Sequence, residues 1–545
     1  MLRMLVLRCL GKQRHFSQAP KLTPGIANTS QEDNKTNVDK PDLKNKNKLV
    51  SKAFEKLKTL HPIEVNDSIM KSIVEATNLD DLLSVVLTKK LTRNHSLKLV
   101  SVLADWTSEG KVKTSEFEND LRFALACRTL GSLSETTDTT TKEALDKMNA
   151  DLSTVLGVAS DDQAAKLISN ISLDQMIKVL SSLAAKKRRS TPLLRSLAYN
   201  ISGSMEKLNI KQGADALYAL ASLSFHNEML VEKICLDLWD CLRSNKKRAV
   251  VGSIITSLGL LRYKNLEVLD LLSEWVEKHI DVCVSQDLIS LVMTLAVVHH
   301  IPENQESLFP LILDRLQASG VPNPQDWLDF VWALNVLNKE TPDLVASVLS
   351  PEFLDKIRAI NTGVLPVPTK LKLLNINGVA QLRLIDYKGP LLDLTSKEWK
   401  FDILRSKEKQ TLVTTVQETL LYMLPSAMYL GTNMNIDMGF LIAGECIVNS
   451  KMTPLPLFDK NNTPIDRSSH NVQKGIKVAF VVLDYHDMTR GQRDLTGINV
   501  LCKDLIRLKG YKVATIDFLE ISPRSSLVDR AKVVNQKLMS AVGSS

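Results

Sequence analysis

The sequence predicts a mainly helical protein, in which a solenoid of helical repeats is followed by a small α/β domain. Hydrophobic residues make up 44% of the 545 residues while aromatic residues make up only 5%, a composition that favours aliphatic helices as the source of the core. Leucines recur at a near-constant spacing through the middle of the chain. After residue 476 the pattern changes to strand, helix, strand and helix, which is typical of an α/β unit.

The helical part is predicted to extend over residues 51–360, and a repeat is visible in its second half. Five leucines, each near the end of the first helix of a hairpin, follow one another at steps of 37, 38, 37 and 39 residues: Leu183, Leu220, Leu258, Leu295 and Leu334. A period of this length indicates stacked helical hairpins, each of which buries its apolar face only against its neighbours.

Cationic or polar residues follow each of these leucines. Because equivalent positions of a stacked array lie in one row, these side chains are predicted to track the phosphate backbone of a nucleic acid, with contacts that depend on salt and not on base sequence. The alternative is that they are ordinary polar turns, in which Lys and Arg favour helix C-termini. The row consists of Lys186, Lys187, Arg188, Arg189, His226, Arg262, Lys264, His299, His300 and Lys339.

Residues 410–545 are predicted to form one α/β unit. An amphipathic helix over 409–424 and a strand over 438–448 come first. Two further strands, each followed by a helix, are predicted over residues 478–483, 495–509, 511–518 and 526–542. Gly510 is a natural helix stop. Carboxylates follow the strands at Asp484, Asp517 and Glu520, so polar groups are expected to gather at one edge of the sheet.

The N-terminus has the composition of a targeting segment. Residues 1–16 contain four basic side chains and no acidic one, which is typical of a mitochondrial presequence; a disordered basic tail is the alternative. Residues 17–50 are polar and predict a flexible linker. Residues 1–60 hold thirteen Lys and Arg against five Asp and Glu, and this excess equals the net charge of +8 of the whole chain. Only local patches can therefore argue for nucleic-acid binding.

Several kinds of site are not expected from the sequence. The seven cysteines are scattered and contain no CxxC pair, so we expect neither a zinc site nor a disulfide framework. No apolar run reaches the ~18 residues that a membrane helix needs. The glycine-rich loop, the HRD segment and the DFG segment of protein kinases do not occur in the sequence, so kinase activity is not expected. No cofactor is predicted.

Short motifs near the C-terminus match those of a known module. They are the strand that ends at Asp484, the group Arg493, Asp494, Leu495 and Gly497, then Lys503, the turn Lys509, Gly510 and Tyr511, and the group Asp517, Phe518, Leu519 and Glu520. These motifs resemble the RAP domain of the FAST kinase domain-containing family of mitochondrial RNA regulators, and residues 438–445 are similar to that family's GFLIDxE segment. The resemblance implies a RAP domain of restriction-endonuclease-like fold at 476–542, with FAST-type regions from about residue 250 and over 361–409.

The resemblance also raises the question of nuclease activity. In nucleases of this fold, two or three carboxylates and a lysine hold a divalent metal ion on the scissile phosphate. The available carboxylates are Glu445, Asp484, Asp517 and Glu520. Ala443 stands where relatives carry Asp, and no Glu-x-Lys follows Asp484. We therefore expect these carboxylates to be vestigial, with no catalytic residue and no metal.

Taken with the resemblance, these observations predict a mitochondrial matrix protein that binds mitochondrial RNA and regulates the stability and processing of messenger RNA. Residues 474–542 hold twelve Lys and Arg against seven Asp and Glu, and Arg493, Lys503 and Arg507 join residues 186–189, Arg262 and Lys264 as RNA-binding candidates. Other mitochondrial RNA-processing proteins are further candidate partners. A metal-dependent endoribonuclease and a helical scaffold for other proteins are the alternative hypotheses.

Overall fold

The computed structural model of the chain divides into two compact units, one that ends at Asp237 and one that begins at Leu238. The structure describes residues 68–88, 91–108, 111–112, 116–117, 120–131, 161, 165, 168–318, 323–459, 463–465 and 475–543. The predicted presequence at 1–16 and the predicted linker at 17–50 lie outside these residues.

The N-terminal unit is helical throughout its described residues. Its helices are α1 (Ser68–Glu75), α2 (Leu79–Thr88), α3 (Arg93–Ser108), α4 (Leu121–Gly131), α5 (Leu173–Ala185), α6 (Thr191–Gly203), α7 (Ile210–Leu223) and α8 (Glu228–Leu242), the last of which continues past Asp237. The first helices of two successive hairpins, α5 and α7, pack side by side, and Leu180, Leu217 and Leu220 are buried at 1% exposure or less.

The C-terminal unit continues the pattern of helical hairpins. Its helices are α9 (Arg248–Leu261), α10 (Leu266–Lys278), α11 (Ser285–Val298), α12 (Gln305–Ala318), α13 (Pro324–Val336), α14 (Pro342–Leu349), α15 (Pro351–Ile360), α16 (Val367–Leu382), α17 (Lys407–Met423), α18 (Gly497–Leu508) and α19 (Leu527–Gly543). Helix α9 packs on α11, α11 packs on α13, and α13 packs on α16. The predicted helical array is therefore confirmed.

The first helix of each predicted repeat ends in the same turn, which is built on a residue in the left-handed αL conformation. These residues lie four positions after the five leucines and have φ between 49° and 57°: Lys187, Ser224, Arg262, His299 and Asn338. In four of the turns the next N–H donates to the leucine carbonyl, as from Arg188 to Leu183 and from His300 to Leu295 (both 2.9 Å). This bond is characteristic of the Schellman termination. The spacing of the leucines in the sequence thus equals the spacing between successive turns of this kind.

A mixed β-sheet follows the helical array. Six strands occur here among the described residues: β2 (Gly431–Asn435), β3 (Leu441–Val448), β4 (Pro454–Leu455), β5 (Ile476–Leu483), β6 (Arg490–Gly491) and β7 (Lys512–Asp517). All but β6 form one sheet of order β2-β3-β5-β7, in which β4 pairs with β3. The pairs β2 with β3 and β3 with β5 are antiparallel, while β5 and β7 are parallel with Leu483 opposite Asp517. The parallel pair is connected through α18, as parallel strands require a crossover.

Helices cover both faces of this sheet. Helices α17 and α19 pack on one face, where Val416, Phe480 and Ile516 are fully buried. Helix α18 packs against β7 on the other side and also contacts α11, α13 and α16. The predicted α/β domain is therefore present, and α18 is shared between the sheet and the helical array.

The predicted elements of the α/β part differ from the observed ones only at their ends. The strand predicted over 478–483 spans Ile476–Leu483, and the one predicted over 438–448 begins only at Leu441. Gly439, with φ of 81°, occupies the turn that precedes this strand. The predicted helices over 495–509 and 526–542 begin and end within two residues of α18 and α19. Hydrophobic periodicity locates elements well and their ends less well, because caps and turns set the ends.

Two further findings concern membrane-spanning helices and the cysteine thiols. None of the helices in the described residues is long and apolar enough to cross a membrane. The described cysteines are free thiols, and burial raises the pKa of the Cys446 and Cys502 thiols to about 12. Such thiols are almost entirely protonated at neutral pH and are weak nucleophiles and metal ligands.

Candidate nucleic-acid interface

The turn after α5 presents four consecutive basic residues. Lys186, Lys187 and Arg189 are exposed. Arg188 is partly buried and forms an ion pair with Asp161, while Nε of Arg189 donates to the backbone carbonyl of Leu223 at the end of α7 (3.1 Å). Desolvation and the positive charge of Arg188 lower the pKa of Lys186. An anion at this turn would relieve the repulsion between these cations, so the turn is suited to phosphate.

Arg262 occupies the equivalent turn after α9 but lies inside the protein. It is 9% exposed, and its guanidinium donates to the carbonyl oxygen of His486 and lies 3.2 Å from Nδ1 of the same residue. Burial lowers the pKa of Arg262, and the negative charges of Asp484 and Asp487 oppose this effect. Its own carbonyl accepts from the Arg490 N–H (2.8 Å). In this arrangement the Arg262 side chain joins the helical array to the α/β part and is not presented to a phosphate.

Strand β1 (Tyr263–Lys264) continues this junction. It pairs in parallel with β6, so that Tyr263 lies opposite Arg490 and Lys264 opposite Gly491. The Lys264 side chain is 11% exposed, and its Nζ lies 2.7 Å from a carboxylate oxygen of Asp494. The second cation of this repeat is therefore also engaged within the protein.

The later members of the row are paired with acidic side chains too. Nε2 of His300 lies 2.8 Å from Asp270, and Nζ of Lys339 lies 3.1 Å from Glu306. Desolvation first, and then the positive charge of Lys264, lower the pKa of His299, which favours its neutral form. His226 is partly buried in the N-terminal unit. Within the C-terminal unit the row is thus not a continuous line of uncompensated positive charge.

Asp484, directly after β5, lies in a buried group of charged and polar side chains. It is 6% exposed, and its Oδ1 accepts the N–H of His486 (2.7 Å). Asp487 accepts from the Asp484 N–H (2.8 Å), from Nζ of Lys409 (2.7 Å) and from Nδ2 of Asn499 (3.1 Å). Desolvation and then the charge of Asp487 raise the pKa of Asp484. We call Asp484, Asp487, Lys409 and Asn499 the strand-end cluster.

The strand-end cluster was only partly predictable. Asp484 was identified because it ends a hydrophobic strand, but Lys409 and Asn499 lie on α17 and α18, and Lys409 is 78 residues from Asp487. Neither has a spacing or a motif that connects it with Asp484. Only the packing of both helices against the sheet brings these groups together.

Glu445 lies away from the strand-end cluster. It is in the middle of β3 opposite Ala479, which is five residues before Asp484 and therefore roughly 16 Å from it along the strand. Glu445 is 7% exposed, and it accepts a hydrogen bond from the hydroxyl of Tyr511 (3.1 Å). Desolvation and the charge of Glu445 raise the pKa of Tyr511. Glu445 thus pairs with a phenol inside the sheet layer and does not face the other predicted carboxylates.

Asp517 and Glu520 lie in the turn after β7. Asp517 accepts the N–H of Leu519 (2.9 Å), and Glu520 accepts the N–H of Asp517 (3.0 Å) and pairs with Lys537 (2.5 Å). Parallel pairing places the ends of β5 and β7 side by side. The carboxylates of Asp517 and Glu520, however, stabilise their own turn. Across the part of the chain that the structure describes, no group of three or more His, Cys, Asp or Glu side chains is arranged to hold a metal ion.

The C-terminal basic candidates lie on and before α18. Arg493 is exposed in the preceding loop, and among the described residues it has no hydrogen bond or ion pair. Lys503 and Arg507 are four residues apart and so share one face of α18. Arg507 is 56% exposed and pairs with Asp504 (3.3 Å), while desolvation and the charge of Arg507 lower the pKa of Lys503. Arg493 is therefore an unpaired positive charge within the described part of the chain, while Lys503 and Arg507 are two neighbouring positive charges that repel each other.

Sequence comparisons match two regions of the chain to one known protein family. Residues 288–358 match FAST kinase-like protein, subdomain 1, and residues 370–456 match FAST kinase-like protein, subdomain 2. The first match begins within α11 and ends within α15, and the second extends from α16 to β4. It includes α17 and strands β2 and β3, so the family pattern reaches into the α/β part.

Curated relatives extend the similarity to most of the chain. FAST kinase domain-containing protein 4 of Homo sapiens is 26% identical over 387 residues, which are 70% of this chain and 61% of that protein. The Rattus norvegicus protein of the same name is 24% identical over 416 residues, which are 75% of this chain and 65% of the relative. The matched region thus spans 61% to 65% of the length of these relatives. Both FAST kinase-like subdomains are thus matched in their order along the chain, and the chain is similar to FAST kinase domain-containing protein 4 as a distant homologue.

Proposed function

We propose that this chain is an RNA-binding protein of the mitochondrial matrix that regulates the stability and processing of mitochondrial messenger RNA. The similarity to FAST kinase domain-containing protein 4 and the resemblance of the C-terminal motifs to a module of mitochondrial RNA regulators support the proposal. The composition of residues 1–16 supports the location.

The observation that carries the proposal is the contrast between the repeat turns. The contrast is one of exposure: the Lys264 and His300 side chains are each only 11% exposed, whereas Lys186, Lys187 and Arg189 are all exposed in a single turn. Exposed clustered cations release counterions when phosphates replace them, which gives affinity without base selectivity. The basic turn at 186–189 is therefore the site at which we expect the helical array to hold RNA.

We further propose that the chain binds RNA without cutting it. Metal-dependent cleavage of a phosphodiester needs several carboxylates that lie close enough together to bind the same metal ion. Here Glu445 pairs with Tyr511, Asp517 and Glu520 stabilise a turn, and Asp484 is buried beside Asp487. This separation supports binding over hydrolysis. The exposed Arg493 and the α18 pair Lys503 and Arg507 then serve as contacts for a second stretch of backbone.

The test is the salt dependence of RNA binding. We expect a quadruple variant with glutamine at residues 186–189 to bind every single-stranded RNA more weakly and to lose about 0.7 from the slope of log K against log salt for each phosphate contact removed. Fluorescence anisotropy between low and high salt gives that slope. With magnesium or manganese present, the bound RNA is expected to stay intact.

The matched control is Lys339→Gln, which removes a cation from an equivalent turn where it is already paired with Glu306. This control should leave the slope unchanged. If the quadruple variant kept the wild-type slope, the placement on the basic turn would be wrong. RNA cleavage by the wild-type protein that disappears in Asp484→Ala would favour the endoribonuclease hypothesis instead. A mature protein found in the cytosol would contradict the proposed mitochondrial location.

A further inference from the structure

A pocket of about 440 Å³ lies within the part that matches subdomain 2, between α16, the segment that follows it, and β2. Its apolar wall consists of Leu374 from α16 and of Leu394, Trp399 and Phe401 from the following segment. This volume falls in the range of small-molecule sites, which usually combine an apolar wall with a few fixed polar groups. Phe401 is partly exposed and provides a surface on which a flat ring can stack, whereas Trp399 is only 7% exposed.

Polar side chains also line this pocket. Asn435 and Asp437 come from the end of β2 and its turn, and Lys400 and Asp402 come from the segment after α16. Asp402 and Asp437 are exposed, and in the described part of the chain neither carboxylate has a hydrogen bond or an ion pair. Oδ1 of Asn435 accepts the Asp437 N–H (3.0 Å), which fixes the amide and leaves its Nδ2 as a donor. Nδ2 of Asn435, a donor, and the carboxylate of Asp437, an acceptor, are thus two residues apart in the chain and line the same pocket.

The turn that carries these two side chains is held from both sides. Asp437 has φ of 61°. The carbonyl just before it, that of Ile436, accepts from Nζ of Lys509 (2.7 Å), and the carbonyl just after it, that of Met438, accepts from Nδ2 of Asn375 (2.7 Å). A turn that is fixed before the ligand arrives loses little entropy on binding. The backbone that carries the donor and the acceptor is therefore fixed before a ligand binds.

The pairing of these groups selects one nucleobase. Guanine carries the acceptor O6 beside the donors N1–H and the 2-amino group, so an amide donor next to a carboxylate acceptor is complementary to its edge. Adenine and cytosine each place a ring acceptor where guanine has N1–H, and this lone pair would face the carboxylate. Uracil offers a single donor. Lys400, at the rim, supplies a positive charge for the phosphate of the same nucleotide.

We infer that this pocket binds a guanine base of single-stranded RNA, with Asp437 accepting from N1–H and the 2-amino group, Asn435 donating to O6, and Phe401 stacking on the ring. The inference rests on the proposed RNA binding and adds base selectivity to it. The basic turn at 186–189 contributes affinity for any RNA, whereas the pocket makes the protein prefer RNA with an unpaired guanine. An arginine side chain of a protein partner is the competing occupant, since Asp402 and Asp437 both line the pocket; a base fits better because arginine has no acceptor for Nδ2 of Asn435.

The experiment measures binding of the full chain to three oligouridylates that differ at one central position, which is guanosine, inosine or adenosine. Fluorescence anisotropy is expected to give about tenfold tighter binding for guanosine than for adenosine. Inosine lacks the 2-amino group and should lie between them. Asp437→Asn replaces an acceptor by an amide that cannot receive both donors, so it should remove the preference while binding to the adenosine oligomer stays unchanged.

The matched control is Asp386→Asn. Asp386 is also an exposed aspartate in the αL region (φ of 60°), and it does not line the pocket, so this variant should keep the preference. Equal wild-type affinity for the three oligomers, or a preference that survives in Asp437→Asn, would overturn the inference. Failure to bind any of the three would instead refute the proposed function. Binding of an arginine peptide that requires Asp437, without guanosine preference, would identify a protein as the occupant.

Discussion

Lys187 and Arg262 occupy equivalent positions of two repeats, and their surroundings give them different roles. Both are αL residues at the end of a first helix. Lys187 is exposed, while the Arg262 guanidinium is buried against His486, a residue 224 positions away. The repeat made the position of each cation predictable, since it is a local property of the turn. It could not reveal which cation is neutralised, because the partner comes from a distant segment.

The strand-end cluster leads to a prediction about pH. Desolvation and the charge of Asp487 raise the pKa of Asp484 above 3.8 in the folded protein. The folded state then binds more protons than the unfolded state between 3.8 and the raised value, so stability falls as pH rises through this window. We expect Asp484→Asn, which keeps an acceptor for the His486 N–H, to raise the free energy of unfolding at pH 7. Urea unfolding measures this difference.

The same measurement at lower pH separates charge from packing. The advantage of Asp484→Asn should shrink as pH falls below the raised pKa, because the wild-type carboxyl is then neutral as well. Asp386→Asn, at an exposed carboxylate, provides the baseline. A variant that is less stable than the wild type at pH 7, or an advantage that does not vary with pH, would contradict this account of Asp484.

At the scale of single elements, the Schellman turn explains why the repeat was visible in the sequence. A leucine lies four residues before each αL position. The buried leucines and the helix ends therefore recur at the same spacing along the chain. None of the five αL residues is glycine, although glycine adopts this conformation at least cost. Sequence rules that search for glycine after a helix therefore miss these ends, while the leucine spacing finds them.

This gives a prediction for helix α7. We expect Ser224→Gly to stabilise the protein by about 0.5–1 kcal/mol, because the saving in αL strain exceeds the added freedom of the unfolded chain. Ser222→Gly, two residues earlier in the right-handed part of α7, is the matched control and should destabilise by about 0.5 kcal/mol. Urea unfolding curves of the three proteins test both signs. Destabilisation by Ser224→Gly would mean that the serine side chain matters more than the backbone.

Helix α16 shows where element prediction from sequence is least reliable. Prolines and glycines between residues 363 and 390 indicate broken helices, yet Val367–Leu382 is one continuous helix. Pro368 lies in its first turn, where proline is tolerated. Gly378 is inside the helix because a Cβ there would lie 2.9 Å from the side chain of Met438. The glycine thus serves close packing against the turn before β3, which the sequence pattern alone does not reveal.

At the scale of the C-terminal unit, α18 connects the sheet with the helical array. It packs on β7 and also contacts α11, α13 and α16, and the β1–β6 pair adds backbone hydrogen bonds to the same junction. The sequence predicted both parts, since each has its own periodicity. It did not predict that they share a helix, because side-chain patterns show that a face is buried and not what buries it.

Gly497, the first residue of α18, makes this junction testable. A Cβ at this position would lie 2.0 Å from the carbonyl oxygen of Ala296 on α11 and 2.5 Å from the side chain of Val336 on α13. We expect Gly497→Ala to destabilise the unit by about 1–3 kcal/mol, since backbone must shift to admit the methyl group, and to speed hydrogen exchange in α18 and α11 together. Gly543→Ala, with no atom within 4 Å of the added Cβ, should change neither. If exchange rose in α18 while α11 kept its protection, the two parts would be independent and α18 would belong to the sheet alone.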